Sequence, residues 1–503
     1  MVYNFNLGIG WASSGVEYAQ AYRANIFRRI GQEARFIFTD MFPRENIEHM
    51  TANIGFQDSE VLWLYSFFTD CGIAPVSFRL RQLEKQFAGQ KFQFSRKGNR
   101  AKYVFEGQNN FYMVYLTSET SDLVHRVEIV SKGKLIRKDY YSYCRIYTEY
   151  YAPAQGKAHL YLRRFYNEDG TTAYEEIIDD DRVLYQFKEQ LLDSKEELVG
   201  YMVRQLGLTE HDVVLIDRTT GIGQAILENA GPAKIGIIIH ADHFSESSSD
   251  DSNIRWNNYY EYAFHQWKHI SFYVTATEAQ KDLLVRQFQQ YMNVTPKVFV
   301  VPVGSLNELR HPRKERKPFS CITASRLATE KHIDWLISAV AEAQKELPGL
   351  TLDIYGEGGQ DKALQEQLDR LGCGDYVRLM GQKKLDKVYE QYEVYLSAST
   401  SEGFGLTLME AAGSGLPIIG FDVRYGNQTF IEDGRNGYRI PISREADQSA
   451  AVHQLAEKIL CLFLKEDREK FQKQSYKIAE QYLTVEVETK WKALLQEITS
   501  CCS

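Results

Sequence analysis

The chain has 503 residues, 44% of them hydrophobic and 25% charged, the balance of a globular protein with large cores and, on length, about three domains. Its net charge of −8 argues against a nucleic-acid partner, although local basic patches can still occur. No apolar run approaches the roughly 20 residues that cross a bilayer, and Met1-Val-Tyr-Asn-Phe-Asn6 lacks the basic and apolar regions of a secretion signal.

Tyr3-Asn-Phe-Asn-Leu7 predicts a first strand. Gly8-Ile-Gly-Trp-Ala-Ser-Ser-Gly15 predicts a glycine-rich turn, and Val16-Glu-Tyr-Ala-Gln20 opens a helix. Between about residues 75 and 190 the pattern changes to period two, as in Lys91-Phe-Gln-Phe94, Lys102-Tyr-Val-Phe105 and Phe111-Tyr-Met-Val-Tyr115. Turn signals recur there, at Lys132-Gly133 and Asn167-Glu-Asp-Gly170. This is a meander of antiparallel hairpins, rich in the chain's 32 Tyr and 27 Phe. Such a sheet either packs on its own domain or offers a contact surface.

From about 209 onward strands alternate with helices. Val213–Ile216, Ile235–Ile239 ending at His240, Phe272–Thr275 and Val298–Val301 form one series. Thr277-Glu-Ala-Gln280 is a capping box opening a helix. Leu309–Pro318 is polar and basic and is expected to be an interdomain linker. A second series follows: Ser320–Thr323, Leu352–Tyr355, Val377–Met380, a strand within Tyr392–Thr400, and Pro417–Phe421. The alternation predicts parallel sheets covered on both faces. The expected fold class is α/β, two facing Rossmann-like domains with an inserted antiparallel β-sheet domain. The expected boundaries are residues 1–74 and 191–308 for the first Rossmann-like domain, 75–190 for the insertion and 309–503 for the second domain, its C-terminal helix crossing back.

The chemistry concentrates at Glu402-Gly-Phe-Gly-Leu-Thr-Leu-Met-Glu410. Strand, glycine turn and helix expose backbone N–H groups at a helix N-terminus, which suits phosphate or sugar oxygens. Two carboxylates flank that turn and can grip two hydroxyl-bearing parts of one ligand. Arg326 and Lys331 lie on a loop at a strand's carboxyl end, where ligands bind in such folds. Together they suit a diphosphate, or else they are a solvated surface pair. His240 ends an apolar strand beside the polar run Ser245–Asp251 and is either a site residue or a satisfied core residue. Asp179-Asp-Asp181 matches an Asp-x-Asp metal pattern but reads as a solvated turn. Seven scattered cysteines without metal-ligand or C-x-x-C spacing fit reduced thiols in a cytoplasm, and Cys501 and Cys502 either belong to a frayed tail or anchor or crosslink the chain.

Taken together, these residues resemble a retaining family-4 glycosyltransferase of the GT-B fold. The resemblance is closer to the GtfA-type subunits of accessory Sec systems. Asn6-Leu-Gly-Ile-Gly-Trp-Ala-Ser-Ser-Gly-Val-Glu-Tyr-Ala-Gln20, Phe165-Tyr-Asn-Glu-Asp-Gly170 and Thr400–Glu410 carry it. The resemblance implies transfer of GlcNAc from UDP-GlcNAc to Ser and Thr of serine-rich-repeat adhesins before export. It also implies a homologous GtfB-type companion in a hetero-oligomer, no metal cofactor, and a cytoplasmic location with at most peripheral membrane association. By the same resemblance Glu402, Gly403, Phe404, Gly405 and His240 hold the donor sugar, and Glu410 holds the ribose. Arg326 and Lys331 stabilise the leaving diphosphate, with Glu402 and His240 counted among the catalytic candidates. Gly15, Val16, Glu17 and Tyr18 approach the diphosphate, and Gln382 and Lys383 meet the uridine through their backbone. Two other readings share this architecture. One is a UDP-glucose-dependent transferase to the same acceptor or to wall teichoic acid. The other is a non-catalytic companion subunit, against which the presence of Arg326, Lys331, Glu402 and Glu410 argues.

Overall fold

The computed structural model of the protein describes residues 1–9, 15–43, 45–107, 109–154, 156–442 and 447–500. Residues 10–14 of the glycine-rich turn, and Cys501 and Cys502, lie outside the described residues. The chain divides into two units, Met1–Ile237 with Asn258–Ser271, and Ile238–Asn257 with Phe272 onward.

In the first unit, short β-branched and aromatic runs form β1 (Val2–Asn6), β2 (Ala34–Phe38) and β3 (Val61–Trp63). Ten strands, β4 to β13, then run between Phe92 and Leu192, and β14 (Val213–Ile216) and β15 (Lys234–Ile239) return to the parallel pattern. The parallel strands lie in the order β15-β14-β1-β2-β3, with Val2 paired to both Ala34 and Val213. The helix Gly15–Arg29 follows β1 and buries Val16, Ala19, Gln20, Arg23, Ile26 and Phe27 at helical spacing. Two of those buried residues are polar, and both reach one carboxylate. Gln20 Nε2 donates to Asp217 Oδ2 at 2.5 Å and Arg23 Nη2 at 2.7 Å. They fasten the helix to the end of β14.

Strands β4 to β13 pair in sequence order as one antiparallel sheet, as a meander requires. Its tyrosines have a specific use, because they satisfy buried charge. Arg163 bridges Glu149 Oε1 (3.0 Å) and Glu176 Oε2 (2.6 Å). Tyr140 and Tyr151 donate to Glu149 Oε2 at 2.8 and 2.6 Å, and Tyr185 donates to Glu176 Oε1 at 3.0 Å. Paired and hydrogen-bonded, these ions can stay out of water. The sheet is joined to the rest of the unit by Tyr174, whose hydroxyl donates to the Tyr65 carbonyl at 2.7 Å. Asp179 ends one strand, and Asp180–Asp181 is an exposed turn.

The second unit starts with a small hairpin, β16 (Phe244–Ser245) and β17 (Arg255–Trp256). It continues with the parallel pair β18 (Phe272–Thr275) and β19 (Val298–Val300). The run Ser245–Asp251 is a hydrogen-bonded turn of that hairpin, in which Ser249 Oγ donates to the Ser245 carbonyl at 2.6 Å. Thr277 caps the next helix through Gln280 N at 3.2 Å. The Gln280 side chain does not close the capping box; it donates to the Ala241 carbonyl at 2.9 Å.

Leu309–Pro318 is coil bound along this unit. Arg316 donates to the carbonyls of Tyr392 and Ser414, at 2.5 and 2.6 Å. Six parallel strands follow: β20 (Ser320–Ala324), β21 (Thr351–Tyr355), β22 (Val377–Gly381), β23 (Val394–Ser397), β24 (Ile418–Phe421) and β25 (Gly437–Ile440). Their order is β22-β21-β20-β23-β24-β25. Alternate residues face opposite cores. Cys321, Leu396 and Ile419 pack in one, Ile322, Tyr395 and Ile418 in the other. Among the described residues no helix is long and apolar enough to cross a membrane.

Candidate functional site

The carboxyl ends of β20, β21, β22 and β23 carry the chemistry-bearing loops. Three of these loops are zipped together by backbone bonds: Ser325 N to the Tyr355 carbonyl (3.0 Å), Leu327 N to Glu357 O (3.0 Å) and Gly356 N to Gly381 O (3.0 Å). The zipper demands glycine. A Cβ on Gly356 would lie 1.8 Å from Ser325 O, and one on Gly358 would lie 2.4 Å from Leu327 O. The signal for this zipper in the sequence is Tyr355-Gly-Glu-Gly-Gly359, a glycine run straight after a strand. Gln382 and Lys383 follow β22. Gln382 N points to Glu357 Oε1 at 3.4 Å, and the Lys383 ammonium sits 5.9 Å from the centre of the Tyr355 ring.

β23 is shorter than the run Tyr392–Thr400, since Ala398–Thr400 leave the ladder and begin the loop. Gly405, with φ +84°, turns this loop into the helix Leu406–Gly413. Phe404 is the anchor, buried against Phe430 and Tyr482 with ring centres 5.3 and 5.9 Å away. Glu402 is held by its backbone on both sides: its N–H donates to Arg424 O (3.2 Å) and its carbonyl accepts from Tyr425 N (2.6 Å) and Gly426 N (2.8 Å). The carbonyl of His240 lies against Gly403, where a Cβ would sit 2.9 Å from it.

With the loop so fixed, the Glu402 side chain meets Lys331. Lys331 Nζ is 2.7 Å from Glu402 Oε2, with side-chain exposures of 13% and 20%. Lys331 is delivered by the short turn Thr329–Lys331, which Thr400 N holds through the Glu330 carbonyl at 3.1 Å. Arg326 stands apart from the pair. It is 77% exposed and bridges Glu330 at 3.3 Å. Glu410 is two helical turns on, and Tyr389 donates to its Oε2 at 3.0 Å. Burial raises the Glu410 carboxyl above its usual range, against the lowering effect of that hydrogen bond.

Behind the loop lies His243, fully buried, its Nε2 2.6 Å from Gln287 Oε1 and its Nδ1 3.3 Å from the Tyr425 hydroxyl. Burial lowers its pKa to about 4, so the ring is neutral and packs the Tyr425 segment that grips Glu402. Sequence reasoning singled out His240 and missed His243. Of the first-unit candidates, Val16 and Glu17 are buried on the helix Gly15–Arg29, and Gly15 and Tyr18 are exposed at its start. Among the described residues no cluster of three or more His, Cys, Asp or Glu is placed to hold a metal ion.

The second unit therefore presents a lysine–carboxylate pair, backbone N–H groups at a helix start and a second, half-buried carboxylate. These are the means to hold an anion and a polyhydroxylated group side by side.

Comparison with known proteins finds the same parts. Residues 93–189 match the family described as GtfA extended beta-sheet domain, and residues 307–478 match glycosyl transferases group 1. The UDP-N-acetylglucosamine–peptide N-acetylglucosaminyltransferase GtfA subunit of Streptococcus gordonii is 52% identical, over 99% of this chain and 98% of that protein. A solved GtfA/B complex contains a chain with a TM-score of 0.97 and 52% identity, covering 99% of this chain and 100% of that one. The pneumococcal O-GlcNAc transferase GtfA, solved with UDP and GlcNAc, gives a TM-score of 0.91 and 49% identity, covering 99% and 98%.

Proposed function

This chain belongs to the GtfA family of glycosyltransferases, and on that premise we propose how its residues divide the work. The protein has the GT-B fold class and is an enzyme that transfers N-acetylglucosamine from UDP-GlcNAc to a peptide, working with a homologous companion subunit. The acceptor is a Ser/Thr-rich adhesin chain modified in the cytoplasm before export.

Lys331 and Arg326 meet the charge that develops on the departing diphosphate. Glu402, the Gly403–Gly405 backbone and His240 hold the sugar, and Glu410 holds the ribose hydroxyls. The backbone at Gln382 and Lys383 meets the uracil, and Gly15 to Tyr18 approach the diphosphate. The scheme routes no step through a metal, since two cations are already assigned to the phosphates. The acceptor hydroxyl displaces the diphosphate on the face it leaves, and a diphosphate oxygen takes the hydroxyl proton. The antiparallel sheet of residues 92–192, with its exposed Phe94, Val104, Ile136 and Tyr161, is the surface for companion and acceptor.

The observation that carries the donor assignment is the 2.7 Å contact of Lys331 and Glu402 beside the glycine turn. The test is transfer by the chain with its companion to a Ser/Thr-rich peptide, with UDP-GlcNAc and UDP-glucose supplied separately. A mass gain of one N-acetylhexosamine is expected, unchanged by a chelator. Failure to bind or turn over UDP-GlcNAc would overturn the reading.

A further inference from the structure

The second unit contains a cavity of about 760 Å³, within the range of small-molecule sites. Its wall includes His332 and Ser401, the chain neighbours of Lys331 and Glu402, and is completed from the loops after β24 and β25. Its charge is unbalanced. Asp242, Glu246 and Asp422 share this wall with Arg424, which is paired with Glu246 at 2.9 Å, while Asp422 is paired with Arg439 at 3.6 Å. That leaves one carboxylate more than guanidinium groups, which disfavours a phosphate there.

Two features select among neutral ligands. The first is Asp242. Its Oδ1 is buried and makes no well-aligned hydrogen bond among the described residues; the carboxyl has the Tyr425 hydroxyl beside it and Ser401 Oγ at 3.5 Å from Oδ2. A buried acceptor oxygen calls for a donor, and a ligand hydroxyl supplies one. The second is aromatic. Trp335 packs on Phe421 with ring centres 5.8 Å apart and stacks with His332 at 4.0 Å. His332 holds φ 44° and ψ 47°, a left-handed conformation that L residues rarely adopt and that collects at ligand sites. Aromatic walls and hydroxyl-accepting carboxylates in one cavity match the C–H face and the hydroxyl edge of a sugar.

We propose that this cavity is a saccharide subsite distinct from the donor loop, taking a neutral N-acetylhexosamine, either free or already attached to an acceptor chain. The choice of that sugar rests on the peptide-glycosylation reading; the cavity's preference for a neutral polyhydroxyl ligand does not. A sugar seated there touches the same two loops that carry Lys331 and Glu402, so its occupancy would bear on the donor site.

The test uses the full chain with its companion, saturated with UDP. Saturation-transfer NMR follows methyl N-acetylglucosaminide, a GlcNAc-bearing serine peptide and the unmodified peptide. The free and peptide-borne sugars should both bind, and their ratio distinguishes the two sources. Asp242→Asn should weaken sugar binding about tenfold or more, and Ile442→Trp, which fills the cavity from its wall, should abolish it. UDP affinity should stay within about twofold in both variants. Sugar binding unchanged by both substitutions would overturn the proposal. So would sugar that binds only where UDP-GlcNAc displaces it, or an unmodified peptide that competes equally. UDP titration alone reports on the donor reading, so the two stand or fall separately.

Discussion

Lys331 Nζ lies 2.7 Å from Glu402 Oε2, across 71 residues of sequence, with both side chains mostly withdrawn from solvent. Each charge is the other's counter-ion until a donor arrives. In the proposed scheme a diphosphate then competes for the lysine, and the freed carboxylate accepts sugar hydroxyls. The two residues should therefore behave as a unit. Lys331→Met and Glu402→Gln are each expected to lower kcat/KM about 100- to 1000-fold. The double variant should be little worse than the poorer single one. Rates of peptide glycosylation by mass spectrometry check this, and losses that multiply would mean independent roles. Arg326 provides the contrast. At 77% exposure, Arg326→Ala should leave stability within about 0.5 kcal/mol while the transfer rate falls.

Glu410 is half-buried, and the Tyr389 hydroxyl donates to its Oε2 at 3.0 Å. If its role is to accept from a ribose, removing its charge harms nucleotide binding more than chemistry. Glu410→Gln should raise KM for UDP-GlcNAc about tenfold with a smaller change in kcat. Tyr389→Phe, which removes the orienting bond, should shift KM the same way by less. Steady-state kinetics at fixed acceptor separate the two parameters, and a loss confined to kcat would contradict the ribose assignment.

Two glycines test backbone approach in opposite ways. A Cβ on Gly403 would meet the His240 carbonyl at 2.9 Å, and a backbone atom cannot swing aside. Gly403→Ala should therefore cost about 1–3 kcal/mol of stability and at least tenfold in rate. A Cβ on Gly15 meets nothing within 4 Å, so Gly15→Ala should leave the thermal midpoint unchanged or slightly higher. Any fall in UDP affinity there, by calorimetry about tenfold, then reports the ligand's own approach. Unchanged UDP affinity would remove Gly15 from the site.

The strands were legible because their signals are local. Val213–Ile216 and Phe272–Thr275 are apolar runs, and the Glu402–Glu410 turn combines glycines with a helix start. What escaped reading depends on contacts between distant segments. The Arg23–Asp217 bridge spans 194 residues, and His243 meets Tyr425 across 182. Nothing local distinguishes His243 from His240, three residues earlier; only packing assigns one to a buried network and sets the other's carbonyl against Gly403. The capping box failed for the same reason. Gln280 had a tertiary partner, the Ala241 carbonyl, that outcompeted the local one. Arg316 likewise reads as one charge in a basic run, yet it clamps two carbonyls of the second unit.

His243 turns one of those distant contacts into a pH effect. With Nε2 at 2.6 Å from Gln287 Oε1 and Nδ1 at 3.3 Å from the Tyr425 hydroxyl, the neutral ring donates from Nε2 and accepts at Nδ1. Burial, reinforced by the Arg424 charge, lowers its pKa to about 4, whereas in the unfolded chain it returns to about 6.5. Between those values the unfolded state binds a proton that the folded state refuses. Stability is therefore full above about pH 6.5 and falls as pH drops toward 4, by roughly 1.4 kcal/mol for each unit. His243→Gln keeps a polar partner for its neighbours but cannot titrate. Urea midpoints at pH 7.5 and 5.5 should fall further in the parent than in the variant, since carboxylates that titrate in the same window are common to both and cancel. Equal slopes would place the ring's proton elsewhere, and with it the support beneath the loop that carries Glu402.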